Sequence, residues 1–258
     1  MTTQTQTRAR TAALPGGITS LDRLKRVVAS MSVGLRPMIV GYWLVMTGSF
    51  LIGGLISQLV GGGLDHSIWD YGTQSPKYFS SAIGITLVPA LFNLLIAHGI
   101  TRRMFSVAAS ILLVGAAAAT ALLWVVAYQV ERVIYDWAGL TQALANPHLF
   151  TKTSQAGLIF TEFFLLIVAH EAAGWLIGIS FYRFGFWKGL LLLPLGVLPA
   201  AAAELLLVAQ WLAEALRSTG YHRPPLAIGV PGVLVVSALG LYFGYLLLRP
   251  MALKPAKG

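Results

Sequence analysis

Six long apolar stretches, separated by short polar loops, constrain the fold of this chain more than any other feature. Each reaches the roughly 20 residues that a helix needs to cross ~30 Å of hydrocarbon. Hydrocarbon cannot satisfy backbone polar groups and nothing alternates as in a barrel strand, so each stretch must be helical. The stretches are Met38–Val60, Phe79–His98, Phe105–Tyr128, Leu158–Phe181, Gly189–Ala213 and Leu226–Leu248. The sequence therefore predicts an all-α integral membrane protein with six transmembrane helices.

Composition excludes several classes of protein. A hydrophobic fraction of 57%, only 10% charged residues and a mean hydropathy of +0.75 are atypical of a soluble domain of 258 residues. The net charge of +9 would fit nucleic acid, but the basic residues flank the spans, so we expect no nucleic-acid partner. Cysteine is absent, which excludes disulfides, thiolate metal sites and a cysteine nucleophile.

The distribution of Lys and Arg predicts the orientation of the spans. All but five of the 18 basic residues lie on one side, the side of the N-terminus. The five on the other side are Lys77, Arg132, Lys152, Arg217 and Arg223. By the positive-inside rule both termini are cytoplasmic. No short apolar core precedes the first span, so we expect that span, not a removable signal peptide, to target the chain.

The residues before the first span divide into two segments. Residues 1–17 are rich in Thr, Gln and Arg, and we predict a disordered tail. Residues 18–36 have apolar side chains at spacings of three and four, which predicts an amphipathic helix in the cytoplasmic interface. Thr19 and Asp22 are expected to cap its start, and Pro37 to end it. Its alternative role is that of a simple topology anchor. Residues 37–250 then form the transmembrane domain, and 251–258 a basic cytoplasmic tail.

Three carboxylates fall within apolar runs, where a charge is costly and is functional by default. Glu162 lies near the outer start of its span, and we expect solvent to reach it. Glu171 is closer to mid-span beside His170, and Glu204 lies in a stretch of small residues. The side chains of His170, Glu171 and Glu204 form a candidate polar cluster. Either helix packing or substrate contact would explain it.

Several catalytic sites can be rejected from the sequence. There is no Gly-Lys dipeptide, so the chain has no phosphate-binding loop of the Walker type. A zinc-protease helix beginning at His170-Glu171 would need a second histidine at position 174, which is Gly174. We therefore predict no metal ligands.

Small residues four apart predict close helix contacts. The pairs are Gly174 with Gly178, Gly240 with Gly244, and Ser49 with Gly53. Such spacings allow two helix backbones to approach within a bundle or between subunits.

The order of these parts resembles the membrane subunits of bacterial ATP-binding-cassette exporters of the type-2 permease class. The local match is residues 92–105, where Gly99-Ile100-Thr101-Arg102-Arg103-Met104-Phe105 links the second and third spans. Glu131-Arg132, which follows a long span rich in Ala and Leu, is also similar to that class. The resemblance implies a bacterial cytoplasmic membrane protein with no enzymatic activity of its own.

The resemblance also assigns roles to residues. It implies that the loop His98–Met104 is a coupling helix that docks on a separate ATPase subunit, which would bind ATP and Mg²⁺; this chain would hold no cofactor. Gly99 would act as a hinge and Thr101 as a cap, with Arg102 and Arg103 facing acidic groups of the partner. Without the resemblance, the two arginines are simply positive-inside residues. Residues 18–36 would be the connecting helix, which also lies against the ATPase. Its candidate contact residues are Leu21, Arg23, Leu24, Lys25, Arg26 and Val28.

A second permease copy or a paralogue would complete the transporter, and the uncharged spans favour an apolar or amphipathic cargo such as a drug, a lipid or a peptide. Two other functions stay open. An intramembrane enzyme or metal-binding protein would use His170, Glu171 and Glu204. A non-catalytic membrane scaffold would use neither this cluster nor the loop at residues 98–104.

Overall fold

A computed structural model of the chain describes residues 19–60 and 65–253, and every regular element in these ranges is helical. The elements are α1 (Ser20–Leu59), a 3₁₀ turn (Trp69–Gly72), α2 (Ser75–Ala97), α3 (Arg102–Ala138), α4 (Ala156–Leu207), α5 (Gln210–Ser218) and α6 (Leu226–Leu248). All except the 3₁₀ turn and α5 are long and apolar enough to cross a membrane. The helical, multi-pass architecture expected from the sequence is therefore confirmed. The tail predicted at 1–17 and residues 254–258 lie outside the described ranges.

Helix α1 combines the amphipathic segment and the first predicted span. The Thr19 side chain accepts a hydrogen bond from the Asp22 backbone N–H at 3.1 Å, which confirms the predicted cap. The predicted end at Pro37 is wrong, because α1 continues to Leu59. Leu35 and Ile39, on either side of Pro37, pack into one core cluster with α2 and α3, so tertiary contacts hold the helix together across the proline.

Helix α4 is a hairpin of two arms. Its 52 residues would extend about 78 Å as a straight helix, more than twice the hydrocarbon thickness. Gly185 interrupts it with a φ of 78°, a conformation that glycine adopts without strain. A Cβ on Gly196 would lie 2.7 Å from the Ile177 side chain, so residues 186–207 fold back along residues 156–184. The two arms correspond to the fourth and fifth predicted spans, and a single glycine replaces most of the loop between them.

The fifth predicted span ends earlier than expected. We predicted that it continues to Ala213, but the helix ends at Leu207 and α5 begins at Gln210. Val208 and Gln210 have φ values of 45° and 61°, which no continuous helix allows. Neither Pro194 nor Pro199 breaks the second arm.

The first arm of α4 is the centre of the bundle. A Cβ on Gly174 would lie 2.1 Å from the Ser81 carbonyl oxygen of α2, so α2 and α4 touch through their backbones. A Cβ on Gly244 of α6 would lie 2.0 Å from the Trp175 ring of α4. These glycines therefore pack helices within the chain, as their spacing predicts. The pattern that ends at Gly53 makes no such contact in the described part of the chain, since no atom there lies within 4 Å of a Cβ placed on Gly53.

The two ends of the bundle differ in charge. At one end the start of α1 meets the turn between α2 and α3, and Arg183 at the bend of α4 donates a hydrogen bond to the Leu247 carbonyl of α6 at 2.8 Å. This basic end is the predicted cytoplasmic side. The opposite end carries the acidic residues of the loops and of the outer helix termini, and it holds a buried polar network.

Candidate functional site

The turn between α2 and α3 has the geometry that its sequence predicts. Gly99 adopts a φ of 78°, which places it in the left-handed region that favours glycine. Thr101 is the N-cap of α3, and its hydroxyl accepts a hydrogen bond from the Met104 N–H at 3.2 Å. His98, Gly99 and Arg103 are exposed, whereas Arg102 is half-buried. A short, capped and solvent-facing turn therefore projects from the basic end.

The amphipathic segment of α1 lies beside this turn. The Arg23 guanidinium donates a hydrogen bond to the Gly99 carbonyl oxygen at 3.0 Å, although the two residues are 76 positions apart. A groove of about 750 Å³ runs between them, with Arg26 and His98 on its walls; we call it the basic groove. Two segments that the sequence singled out separately thus form one surface.

The predicted contact residues of α1 divide between the surface and the core. The exposed ones are Leu21, Arg23, Lys25 and Arg26. Leu24 and Val28 are half-buried and pack against the cluster formed with α2 and α3. The charged face of the segment is therefore available to a partner, while its apolar face belongs to the bundle.

At the opposite end, a histidine bridges two buried carboxylates. Nε2 of His148 lies 2.5 Å from Oδ1 of Asp70, and its Nδ1 lies 2.7 Å from Oε1 of Glu162. None of these three side chains has any exposed surface. Gln210 donates to Glu162 at 3.2 Å and accepts from Gln74 at 3.1 Å. We call these five residues the outer network.

The charge state of His148 follows from its neighbours. Burial lowers the pKa of its imidazole, but the Glu162 and Asp70 carboxylates raise it more, to about 9. At neutral pH the ring is therefore an imidazolium, and each of its N–H groups donates to one carboxylate. Charged pairs of this kind are stable in a buried site only when their remaining acceptors are satisfied.

The carboxylates of the outer network also hold the loop that contains His148. The Asp70 carboxylate accepts the backbone N–H groups of Ala145 and Asn146 at 2.5 and 2.9 Å. The Glu162 carboxylate accepts the N–H of Leu149 at 2.7 Å. The expectation that solvent reaches Glu162 is therefore wrong, because the loop folds over it and supplies its hydrogen bonds.

A further buried carboxylate binds the loop between α1 and α2. Glu131 of α3 accepts hydrogen bonds from the Ile68 N–H at 2.7 Å and from the Gln142 side chain at 2.6 Å, and Ser67 also donates to it. Glu131 is only 5% exposed. Glu131 thus joins the loop between α1 and α2 to the loop between α3 and α4.

The structure brings only part of the predicted intramembrane cluster together. Nε2 of His170 lies 3.6 Å from Oε1 of Glu204, and Lys77 of α2 forms a buried ion pair with the same oxygen. Glu171 faces α2 instead, where the Ser80 hydroxyl is its polar neighbour, and neither of its oxygens has hydrogen-bond geometry. Adjacent residues on a helix point about 100° apart, which explains the separation.

Sequence reasoning missed Lys77, Asp70 and His148 as site residues. From the sequence, Lys77 was counted only among the five basic residues on the side opposite the N-terminus. Asp70 and His148 are loop residues 78 positions apart, and no spacing in the sequence pairs them. The only available signal was that the longest outer segment carries a histidine after Asn146-Pro147. Within residues 19–60 and 65–253, no three His, Asp or Glu side chains are arranged to hold a metal ion.

Comparison with known proteins identifies no family for this chain. No protein-family model, curated protein or solved structure matches the chain. The resemblance to type-2 permeases therefore stays an expectation from the sequence, based on residues 92–105 and Glu131-Arg132.

Proposed function

We propose that this chain is the permease subunit of a bacterial ATP-binding-cassette exporter. The observation that carries the proposal is the hydrogen bond from Arg23 to the Gly99 carbonyl, which joins the amphipathic segment to the exposed turn between α2 and α3. A motor subunit that docks there would contact both segments at once. Isolated positive-inside arginines would not require such a joint surface.

The proposed topology has six spans with both termini in the cytoplasm. The two arms of α4 pack antiparallel, and each is at least as long as the roughly 20 residues of a span. With α1, α2, α3 and α6 they make six crossings. The basic end then faces the cytoplasm, in accordance with the positive-inside rule.

The geometry suggests how a signal would cross the membrane. The turn at residues 98–101 connects α2 and α3, and α3 continues for 37 residues, or about 56 Å. The far ends of the same two helices carry Lys77, which pairs with Glu204 near the end of α4, and Glu131, which binds the loop between α1 and α2. A displacement of the turn would therefore reach the outer end of the bundle through two rigid helices. ATP and Mg²⁺ would be bound by the partner, and a second permease copy or a paralogue would face this one.

The proposal is tested by purifying the tagged protein from its native membrane in mild detergent and identifying what elutes with it. We expect a stoichiometric soluble ATPase with a Walker motif. Recovery of the chain without such a subunit, under conditions in which the bundle stays folded, would overturn the proposal.

One observation favours the alternative of an intramembrane enzyme, namely the proximity of His170 to Glu204. A proton could pass between these two groups. Glu171 faces away from them, so the enzyme would work with two of its three predicted residues. Glu171→Gln would then leave an enzymatic activity unchanged, whereas Glu204→Gln would abolish it. No observation specifically favours a scaffold.

A further inference from the structure

A pocket of about 260 Å³ opens between α2, the two arms of α4 and α5. We call it the outer pocket. Its polar wall contains His170 and Glu204, Tyr78 stands at its side, and Ile177, Val197 and Leu212 contribute apolar walls. The proposed coupling surface at the opposite end of the bundle uses none of these residues.

Two hydrogen-bond acceptors in this wall lack a donor. Nδ1 of His170 lies 2.8 Å from the Leu166 carbonyl oxygen, which carries no proton, so Nδ1 must be the protonated nitrogen. In the neutral ring Nε2 is then an acceptor, and it lies 3.6 Å from Oε1 of Glu204, another acceptor. Lys77 occupies Oε1, but the buried Oε2 of Glu204 has no hydrogen-bond partner in the described part of the chain.

An unpaired acceptor on a side chain that is only 7% exposed is costly and calls for a donor. Oε2 itself is covered, but the last torsion of a glutamate is soft, so a donor in the pocket can reach it by a small rotation. A donor placed between Glu204 and His170 would satisfy both groups.

The Glu204 carboxylate favours a cationic donor over a neutral one. Glu204 lines the outer pocket, and among the described residues its Oε1 is paired with Lys77 while its buried Oε2 has no partner. Hydrogen bonds to a charged group are roughly twice as strong as neutral ones, and a carboxylate buried in a membrane domain is costly unless it is paired.

The rest of the pocket fits the other parts of an amphipathic cation. The Tyr78 ring is half exposed and meets the His170 ring edge-on, with centroids 5.7 Å apart. The Lys77 ammonium already lies 5.6 Å from the centroid of this ring, and an aromatic ring beside a carboxylate attracts groups of this kind. The apolar side chains Ile177, Val197 and Leu212 would contact a hydrocarbon chain.

We infer that the outer pocket binds the ammonium group of an amphipathic primary amine. Glu204 and Nε2 of His170 accept its N–H groups, Tyr78 contacts its charge, and the alkyl chain lies along the apolar wall. The binding site itself does not depend on an ATPase; only the further step, that such an amine is the cargo, rests on the proposed function.

The test uses the full chain in nanodiscs of phosphatidylcholine at pH 7, with n-octylamine as the probe and n-octanol as its uncharged counterpart. We expect octylamine to raise the unfolding temperature in a saturable manner, and octanol to have no such effect. The double variant Lys77→Met/Glu204→Gln, which removes both members of that ion pair together, should abolish the saturable effect. Tyr78→Leu should weaken it about threefold, in line with a cation–π contact at a partly exposed ring.

Glu214→Gln is the matched control, because Glu214 is an exposed acid of the neighbouring α5. It should bind octylamine like the unmodified chain. Equal effects of octylamine and octanol, or unchanged binding by Tyr78→Leu, would overturn the inference. Because Tyr78 is half exposed, Tyr78→Leu should fold normally. Its octylamine binding therefore tests the inference even if the double variant does not fold.

Replacing part of the phosphatidylcholine by phosphatidylethanolamine separates the two sources of such a group. Competition with octylamine would identify a lipid headgroup as the occupant, and absence of competition a free amphipathic amine. Both measurements use the chain alone. Failure of the exporter proposal would therefore show in co-purification, and failure of the amine site in these binding curves.

Discussion

Nδ1 of His148 lies 2.7 Å from a carboxylate oxygen of Glu162, and both side chains are completely buried. This pair connects the loop between α3 and α4 to the central helix of the bundle. Asp70, on the other side of the imidazole, connects the same loop to the 3₁₀ turn before α2. Asp70, the protonated His148 and Glu162 therefore hold the outer end of the bundle together. This arrangement requires the His148 ring to carry a positive charge.

The first prediction concerns pH. The pKa of His148 is raised to about 9 from an ordinary value of 6.5, so its contribution to stability is complete below pH 6.5 and is lost as the pH rises through 9. A shift of that size corresponds to roughly 3 kcal/mol. Thermal unfolding measured between pH 6 and 10 should show this loss. His148→Gln should remove most of the pH dependence, whereas His222→Gln, in an exposed loop, should preserve it.

The second prediction concerns the buried carboxylate. Glu162→Gln leaves one neutral acceptor oxygen for the His148 ring, the Leu149 N–H and the Gln210 side chain, which two carboxylate oxygens serve in the unmodified chain. Removing one partner from a buried ion pair costs about 3–5 kcal/mol. Glu214→Gln makes the same chemical change at an exposed position and should cost less than about 0.5 kcal/mol. Equal unfolding temperatures for the two variants would contradict the role of Glu162 in the outer network.

Hydropathy alone predicted the helical class and the approximate positions of the spans, because the cost of burying backbone and charge in hydrocarbon is local in sequence. The hinge at Gly99 and the cap at Thr101, which were expected with the family resemblance, are also local features of the chain. The sequence did not distinguish a helix break at Gly185 from a short loop. The helix end expected at Pro37 does not occur, because Leu35 and Ile39 pack against the bundle on both sides of the proline. The sequence did not predict the outer network, because its ion pairs join residues that are brought together only by the fold.

The third prediction concerns the contact between α2 and α4. A Cβ on Gly174 would lie 2.1 Å from the Ser81 carbonyl oxygen, so Gly174→Ala must push two helix backbones apart. We expect a loss of about 1–3 kcal/mol in the free energy of unfolding, as for other overpacked cores. Gly115→Ala in α3 is the control, because nothing lies within 4 Å of its Cβ position, and it should be neutral or slightly stabilising. A free energy of unfolding that is unchanged or increased by Gly174→Ala would contradict close packing of α2 and α4 at this position.

The last prediction concerns coupling to the proposed ATPase. Arg102→Glu/Arg103→Glu reverses the charge of the turn beside the basic groove, and neither arginine forms an ion pair within residues 19–60 and 65–253. We expect the variant to fold normally but to lose most of the stimulation of ATPase activity, because like charges then oppose an acidic partner surface. Lys152→Glu/Arg217→Glu makes the same charge change at exposed positions of the opposite end and should preserve stimulation. Arg23→Ala removes the hydrogen bond to Gly99 without reversing charge, so a partial loss there would show that the two segments act as one surface. Full stimulation in the Arg102/Arg103 variant, with a normal unfolding temperature, would refute coupling through this turn.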